Sequence, residues 1–124
     1  MGSLRHCTWI LGLSDYRVVA LEPQGSPVLT TGRAGAHRVE GTAPGFVPPH
    51  LTREDYDEAR AINEDEARAF ARRLAKEEGV FAGVSTGLNV LAACQLAKGL
   101  GPGRRVATVA VDTGLKYLAG DLFA

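Results

Sequence analysis

A serine between two glycines is the first feature of this sequence that could do chemistry. Ser85 lies in the run GVSTG at residues 83–87, directly before an apolar stretch that is typical of a helix. Serine is favoured at helix starts, and the first turn of a helix offers unpaired N–H groups and a partial positive charge. Flanking glycines let a ligand approach the backbone closely. Ser85 therefore either caps the helix or contributes to an anion or cofactor site.

Two nucleotide-binding motifs are excluded for this run, because it lacks the Gly-Lys-Ser/Thr end of a P-loop and does not follow GxGxxG. Two other segments could complete a site with Ser85. Residues 24–49 are rich in Gly, Pro and Thr, and a stretch of this length without regular structure tends to be functional. Asp112 starts a turn after a β-branched run, and ligands of α/β sheets bind beyond the carboxyl ends of strands.

Two β-branched runs predict strands that would position these segments. Residues 17–21 form the first run, which Glu22 and Pro23 close. Residues 105–111 form the second, and its nearly continuous apolar character is typical of a strand buried on both faces.

The spacing of polar and apolar residues predicts two helices. The first has Asn63 as its cap and Gly79 at its end, with one apolar face made of Ala67, Phe70, Ala71 and Leu74. The second begins within the GVSTG run and ends at Gly99. Because it is apolar around much of its circumference, we expect layers on both of its sides and a buried Cys94.

The order of elements predicts the fold class. The chain follows the order strand, glycine-rich loop, helix, glycine-rich turn, helix, strand. This order indicates an α/β layer architecture. Residues 51–62 are ambiguous, since Thr52 and Asp55 have the spacing of a capping box that would start a short helix.

Composition limits the classes of protein that the chain can belong to. Its 124 residues suit one domain, and 45% hydrophobic with 23% charged residues exclude a disordered or collagen-like chain. Lys plus Arg number 14 and Asp plus Glu number 14, so the basic excess that is usual in nucleic-acid binders is missing.

Cysteine usage and hydropathy indicate a cytoplasmic protein. Cys7 and Cys94 lie far apart without CxxC spacing, which predicts neither a zinc site nor a disulfide framework. No run approaches the roughly 20 apolar residues that span a membrane, and the opening residues lack the cleavage site of a secretory signal.

Several segments, read together, resemble the cysteine synthase and cystathionine β-synthase family. Residues 37–48 are similar to its H-x-I-x-G-x-G-x-G-F-x-P loop, and residues 83–87 to its G-x-S-S/A-G motif. Residues 112–118 resemble D-S-G-E-R-Y-L, and residues 121–123 match its closing D-L-F. Residues 19–23 and 71–79 also resemble the strand before that loop and the helix after it, so that the resemblance runs in order from residue 16 to residue 123.

The resemblance implies a fold and a chemistry. The fold is the C-terminal half of the tryptophan synthase β-like arrangement (fold type II), a partial, parallel-sheet, three-layer α/β domain, in which residues 58–62 are a strand. The chemistry is β-replacement on O-acetylserine-type substrates in cysteine biosynthesis, with pyridoxal phosphate as the electron sink.

The resemblance also implies roles for particular residues. Ser85 would donate a hydrogen bond to the pyridine nitrogen of the cofactor, and a neutral hydroxyl at a positive helix end disfavours protonation of that nitrogen. The loop around Gly41 would lie beside the cofactor and the amino-acid substrate, with Thr42 and Ala43 in place of the family's usual Ile-Gly. Asp112 would lie near the same ring edge.

Two parts of the family pattern have no counterpart in the sequence. The family uses a lysine for its internal Schiff base, but Lys76, Lys98 and Lys116 all lie in segments that match other parts of the pattern. We expect each of them to be a solvated surface charge. Residues 1–15 do not match the family's phosphate-binding loop, so we expect an unmatched segment there and the family domain over residues 16–124. The chain would then be inactive alone.

Two further interpretations remain open. The chain could be a non-enzymatic interaction or subunit module, or the start of the second helix could bind a simple anion. An incomplete sheet would expose an apolar edge, so we expect a homo-oligomer or pairing with an N-terminal half.

Overall fold

Two short parallel strands and two long helices form the framework of the protein. The computed structural model describes residues 16–124 and has the predicted α/β character. The strands and helices, in chain order, are β1 Val19–Pro23, α1 Val28–Thr31, β2 Glu58–Ile62, α2 Glu64–Arg73 and α3 Val84–Leu100. Short 3₁₀ turns cover Arg53–Asp55 and Gly114–Tyr117, and a π turn covers Leu74–Glu78.

The sheet confirms both predictions for its strands. β1 lies two residues later than predicted and pairs in parallel with β2, from Val19 opposite Glu58 to Pro23 opposite Ile62. The strand at Glu58–Ile62 agrees with the family resemblance, although the local sequence favours a helix. Pairing with β1 and burial of Ile62 outweigh that local preference.

Capping residues set the helix boundaries as predicted. The Asn63 side chain accepts hydrogen bonds from the backbone N–H groups of Asp65 and Glu66 at the start of α2. Thr52 and Asp55 form the predicted capping box, but on a single 3₁₀ turn. Gly79, with φ 69°, ends the π turn that prolongs α2.

A close contact between α2 and α3 requires a residue without a side chain. Gly87 faces the Ala67 carbonyl oxygen, and an added Cβ would lie 2.9 Å from the Ala71 Cβ. Ala67 and Ala71 are both buried, so the two helices pack backbone against backbone at this point. The same core contains Val84, Leu88 and, from the C-terminal tail, Leu122.

The C-terminal tail is tied to α2 by two arginines. Arg68 donates to Asp121 Oδ1 at 2.5 Å, and Arg72 donates to the Leu122 carbonyl oxygen at 3.1 Å. The hydrogen bond from Arg68 lowers the pKa of the Asp121 carboxyl. The Phe123 ring then packs on Phe81, with ring centroids 4.7 Å apart.

The prediction of a buried strand at residues 105–111 is wrong for the described part of the chain. The segment pairs with no strand there, and Val109 and Val111 are 55% and 60% exposed. A central strand needs neighbours on both edges, and the two described strands pair with each other instead.

α3 also lacks part of the packing that its apolar sequence predicts. Its first turns, from Val84 to Leu88, are buried, but its C-terminal half is largely exposed. The prediction of a buried Cys94 is therefore wrong, because the thiol lies on that exposed half. No helix of residues 16–124 is long and apolar enough to cross a membrane.

Replacing Gly87 by Ala is expected to lower the free energy of unfolding by about 1–3 kcal/mol, because the added methyl group overlaps the backbone of α2. Gly99 provides the matched control: it lies in the same helix, and an added Cβ there meets nothing within 4 Å. Gly99→Ala is expected to stabilise the protein by up to about 1 kcal/mol through helix propensity. Urea denaturation followed by circular dichroism measures both, and equal effects would contradict the backbone contact.

Candidate functional site

The first turn of α3 is the centre of the candidate site. Gly83 is the N-cap residue, and no side chain caps the helix. Ser85 is the second residue of α3 and is 8% exposed, so the interpretation that it caps the helix is wrong. The N–H groups of a first helical turn have no partner within the helix, and they give this end of α3 its partial positive charge.

Backbone hydrogen bonds hold Asp112 against this turn. The Gly83 N–H donates to the Asp112 carbonyl oxygen at 3.3 Å, and the Gly114 N–H donates to the Phe81 carbonyl oxygen at 3.0 Å. Between them, Ala82 and Thr113 form an antiparallel bridge. The structure therefore brings Asp112 to the helix start on which Ser85 lies.

The two carboxylate oxygens of Asp112 have different surroundings. Oδ2 accepts a hydrogen bond from the Tyr117 hydroxyl at 2.8 Å, and the Lys116 ammonium lies 3.8 Å from it. Oδ1 is buried and has no hydrogen-bond partner among residues 16–124. An unpaired buried acceptor is costly, and it marks a place where a donor from outside the described residues could bind.

Gly83 is required by this arrangement. A Cβ added there would lie 2.5 Å from Asp112 Oδ1 and 2.5 Å from the Tyr117 ring. Any other residue would push the carboxylate or the ring away from the start of α3. Sequence analysis named neither Gly83 nor Tyr117 as a site residue, although both lie inside motifs that it used.

The Tyr117 hydroxyl remains a donor over the ordinary pH range. Burial, the hydrogen bond to Asp112 and the Asp112 charge together raise its pKa to about 12. The charge of Glu40 adds to the same effect. Glu40 precedes Gly41, so the glycine-rich loop lies within electrostatic range of the Asp112–Tyr117 pair.

A histidine and a threonine fix the shape of that loop. His37 Nδ1 accepts from the Val39 N–H at 3.2 Å, which leaves Nε2 to carry the proton that it donates to the Ala43 carbonyl oxygen at 3.0 Å. The Thr42 hydroxyl donates to the Val39 carbonyl oxygen at 2.9 Å. Val39 is fully buried in the core that contains Val84, which anchors the loop beside the first turn of α3.

The loop carries three of the predicted site residues. Gly41 is exposed, has φ 74°, and an added Cβ would meet nothing within 4 Å. Thr42 and Ala43 are half-buried, and Ala43 has φ 41°, a conformation that disfavours a side chain. The backbone at Gly41 thus faces open space in which a ligand could lie.

The three lysines are exposed, as predicted. Lys116 is the one beside the candidate site, and its side chain is 67% exposed. A cavity of about 290 Å³ lies elsewhere, between α2 and α3, where Phe70, Val90 and Cys94 are among its lining residues.

Comparisons of the sequence with known proteins point to one family. The sequence pattern of the family described as "Pyridoxal-phosphate dependent enzyme" matches residues 4–112. A probable cysteine synthase of Bacillus subtilis is 46% identical over 110 residues, which are 89% of this chain and 35% of that protein. A cysteine synthase of Staphylococcus aureus is 44% identical over 110 residues, 89% of this chain and 36% of that protein.

Solved structures give the same result. The crystal structure of an O-ureido-L-serine synthase superposes with a TM-score of 0.85 and 40% identity, covering 91% of this chain and 36% of that one. O-acetyl serine sulfhydrylase isoform 3 from Entamoeba histolytica superposes with a TM-score of 0.80 and 32% identity, covering 86% of this chain and 32% of that one. The chain thus spans about a third of the length of the relatives that it matches.

Replacing Ala43 by Gly is expected to raise the free energy of unfolding by about 0.5–1 kcal/mol, because glycine adopts a positive φ without strain. Ala36→Gly, at an exposed loop position without a positive φ, is the control. There the greater entropy of the unfolded chain is expected to destabilise the protein by up to about 1 kcal/mol. Urea titration measures both, and stabilisation by both substitutions would contradict strain at Ala43.

Replacing Asp112 by Asn is expected to lower the pKa of Tyr117 from about 12 towards 10.0, since the negative charge is lost while the burial remains. The raised pKa stabilises the fold below pH 10.0, and this contribution is lost as the pH rises through about 12. Phenolate absorbance, in a background with Tyr16→Phe and Tyr56→Phe, reports the titration. Glu54→Gln, at an exposed position whose charge does not contribute to the raised pKa of Tyr117, is the control and should leave the curve unchanged. An unaltered curve for Asp112→Asn would contradict the assignment.

Proposed function

The chain belongs to the family of pyridoxal-phosphate-dependent enzymes, and on that premise we propose that it supplies the pyridine-nitrogen side of a cysteine synthase-like site. The reaction of that site would be β-replacement on an O-acetylserine-type amino acid. When bound, pyridoxal phosphate supplies the electron sink for this chemistry. The chain would be inactive alone, because none of its lysines matches the position of the family's covalent lysine.

One observation carries the proposal: Gly83, Ser85 and Asp112 converge at the start of α3, and one buried carboxylate oxygen there has no partner among the described residues. If this region served core packing alone, we would expect Asp112 Oδ1 to have a hydrogen-bond partner, or an apolar residue to stand at position 112.

Each site residue has a role that suits its surroundings. The Ser85 hydroxyl is neutral and lies at the positive end of α3, which favours donation to an unprotonated ring nitrogen. Gly41 would face the ring and the amino-acid substrate, since open space adjoins its backbone. Thr42 and Ala43 would shape the same side of the substrate, held by the His37 hydrogen bonds.

Partners and location belong to the same proposal. The family's covalent lysine and phosphate loop would come from polypeptide that pairs with this chain, because the chain spans only about a third of its relatives. A cytoplasmic location is supported by two cysteines without the spacing of a disulfide framework. The family domain is proposed to begin at residue 16, although the family pattern matches from residue 4 onward. Residues 1–15 lie outside the described residues.

Titration of isotopically labelled chain with pyridoxal 5′-phosphate tests the site. The backbone amide signals of Gly83, Ser85 and Gly41 are expected to shift at saturation. Ser85→Ala is expected to weaken binding about tenfold, the effect of one lost hydrogen bond of about 1.4 kcal/mol. Gln95→Ala, on an exposed part of α3, is the matched control and should bind as the unaltered chain does.

Three results would contradict the proposal in distinguishable ways. Equal shifts with inorganic phosphate would favour the simple anion site at the helix start. Shifts confined to other residues, or none, would remove the cofactor site. A saturable absorbance band near about 410 nm that disappears in one of the three single Lys→Ala variants would show that the chain alone holds the cofactor covalently.

A further inference from the structure

Glu22 is a buried carboxylate near the carboxyl end of β1, and it is not part of the candidate site. The residue is only 4% exposed. Its Oε2 accepts from the Leu29 N–H at 2.7 Å, and its Oε1 accepts from the N–H and the hydroxyl of Thr30 at 2.8 and 2.7 Å. A buried charge is costly unless donors surround it, and these three donors all belong to α1. Glu22 therefore fixes α1 against the end of β1.

The segment that follows β1 closes on itself. We call residues 24–36, which include α1, the anchored loop. Ser26 is fully buried, and its Oγ accepts from the Gly35 N–H at 3.2 Å. Gly25 lies so close to the end of the loop that an added Cβ would be 2.5 Å from the Ala36 carbonyl oxygen. The two ends of the anchored loop are therefore fixed relative to each other, with α1 between them.

The anchored loop contacts both ends of the segment that carries Gly41. His37 follows it directly in the chain, and the His37 ring donates to the Ala43 carbonyl oxygen at 3.0 Å. At the other end Gly45 lies against Ala34, since an added Cβ on the glycine would be 3.7 Å from the Ala34 Cβ. A displacement of the anchored loop would therefore move the segment between these two contacts, which contains Gly41.

We propose that Glu22 is a positioning residue for the substrate side of the site. Through α1 and the anchored loop, it holds the backbone at Gly41 and Ala43 in the arrangement that a ligand meets. This inference rests on the proposed function, which assigns the substrate side to that backbone. The two sides of the site then have different supports, because Ser85 is held by the packing of α3 on α2. Loss of the Glu22 acceptors should disturb the side at Gly41 and leave the side at Ser85 intact.

Amide hydrogen exchange of the Glu22→Gln variant tests this role without any cofactor. The substitution keeps the size of the side chain but turns one acceptor oxygen into an NH₂ donor that faces the N–H groups of α1. Exchange is expected to be about tenfold faster at Leu29 and Thr30, the ordinary effect of one lost hydrogen bond, and also at Gly35 and Val39. Faster exchange at Leu29 and Thr30 alone would show that Glu22 supports only α1, which would overturn the proposal. Equal acceleration at the buried amides of α2 would overturn it as well, because it would indicate a general loss of stability.

Two neighbouring threonines give a milder variant and its matched control. The Thr30 hydroxyl donates to Glu22, whereas the Thr31 hydroxyl donates to the Pro27 carbonyl oxygen within its own turn. Thr30→Val is therefore expected to accelerate exchange at Val39 about threefold, and Thr31→Val to leave it unchanged. Equal exchange at Val39 in the two variants would contradict the positioning role, even if the Glu22→Gln variant fails to fold.

Titration with pyridoxal 5′-phosphate separates positioning from overall stability. In the Glu22→Gln variant the shift of the Gly41 amide signal is expected to be lost, whereas the shift at Ser85 is retained. Glu54→Gln makes the same change in charge at an exposed position and should retain both shifts. Retention of both shifts in Glu22→Gln, or loss of both, would overturn the proposal. If the unaltered chain shows no shift at either residue, the proposed function fails, while the exchange measurement still decides whether Glu22 holds the loop.

Discussion

The approach of Asp112 to Gly83 is the contact on which the candidate site depends. It joins a segment late in the chain to the start of α3, through a backbone hydrogen bond and a space that only glycine leaves. Tyr117 then fixes one carboxylate oxygen, and the other is left without a partner in the described residues. A side chain at position 83 would push Asp112 and Tyr117 away from the start of α3, so this arrangement requires glycine there.

Local rules predicted those features that depend on neighbours in the sequence. Asn63 is the cap of α2, and Gly79 ends its π turn, because the partners of each lie within one or two turns. β2 was different: its residues favour a helix locally, and only the family resemblance predicted the strand. Its conformation comes from β1, about forty residues earlier, which no local pattern contains.

The failed predictions have one physical cause. The apolar character of residues 105–111 and of α3 predicts burial, and burial needs another layer against each of them. Within the described residues that layer is absent, so Val109 and Cys94 are exposed. The exposure of these apolar residues supports the proposal that the chain pairs with further polypeptide. Gly83 and Tyr117 were missed for a different reason, since their importance arises from a contact that spacing does not reveal.

The helix pair explains why the site can keep its shape although the sheet formed by residues 16–124 has only two strands. α2 and α3 meet at Gly87, next to the first turn that carries Ser85, and Leu122 closes the same core from the tail. The buried residues of the site thus lie at the best-packed end of α3, while its exposed half lies away from them. The exposed residues of α3 are therefore separated from the buried first turn, where we propose that a ligand binds.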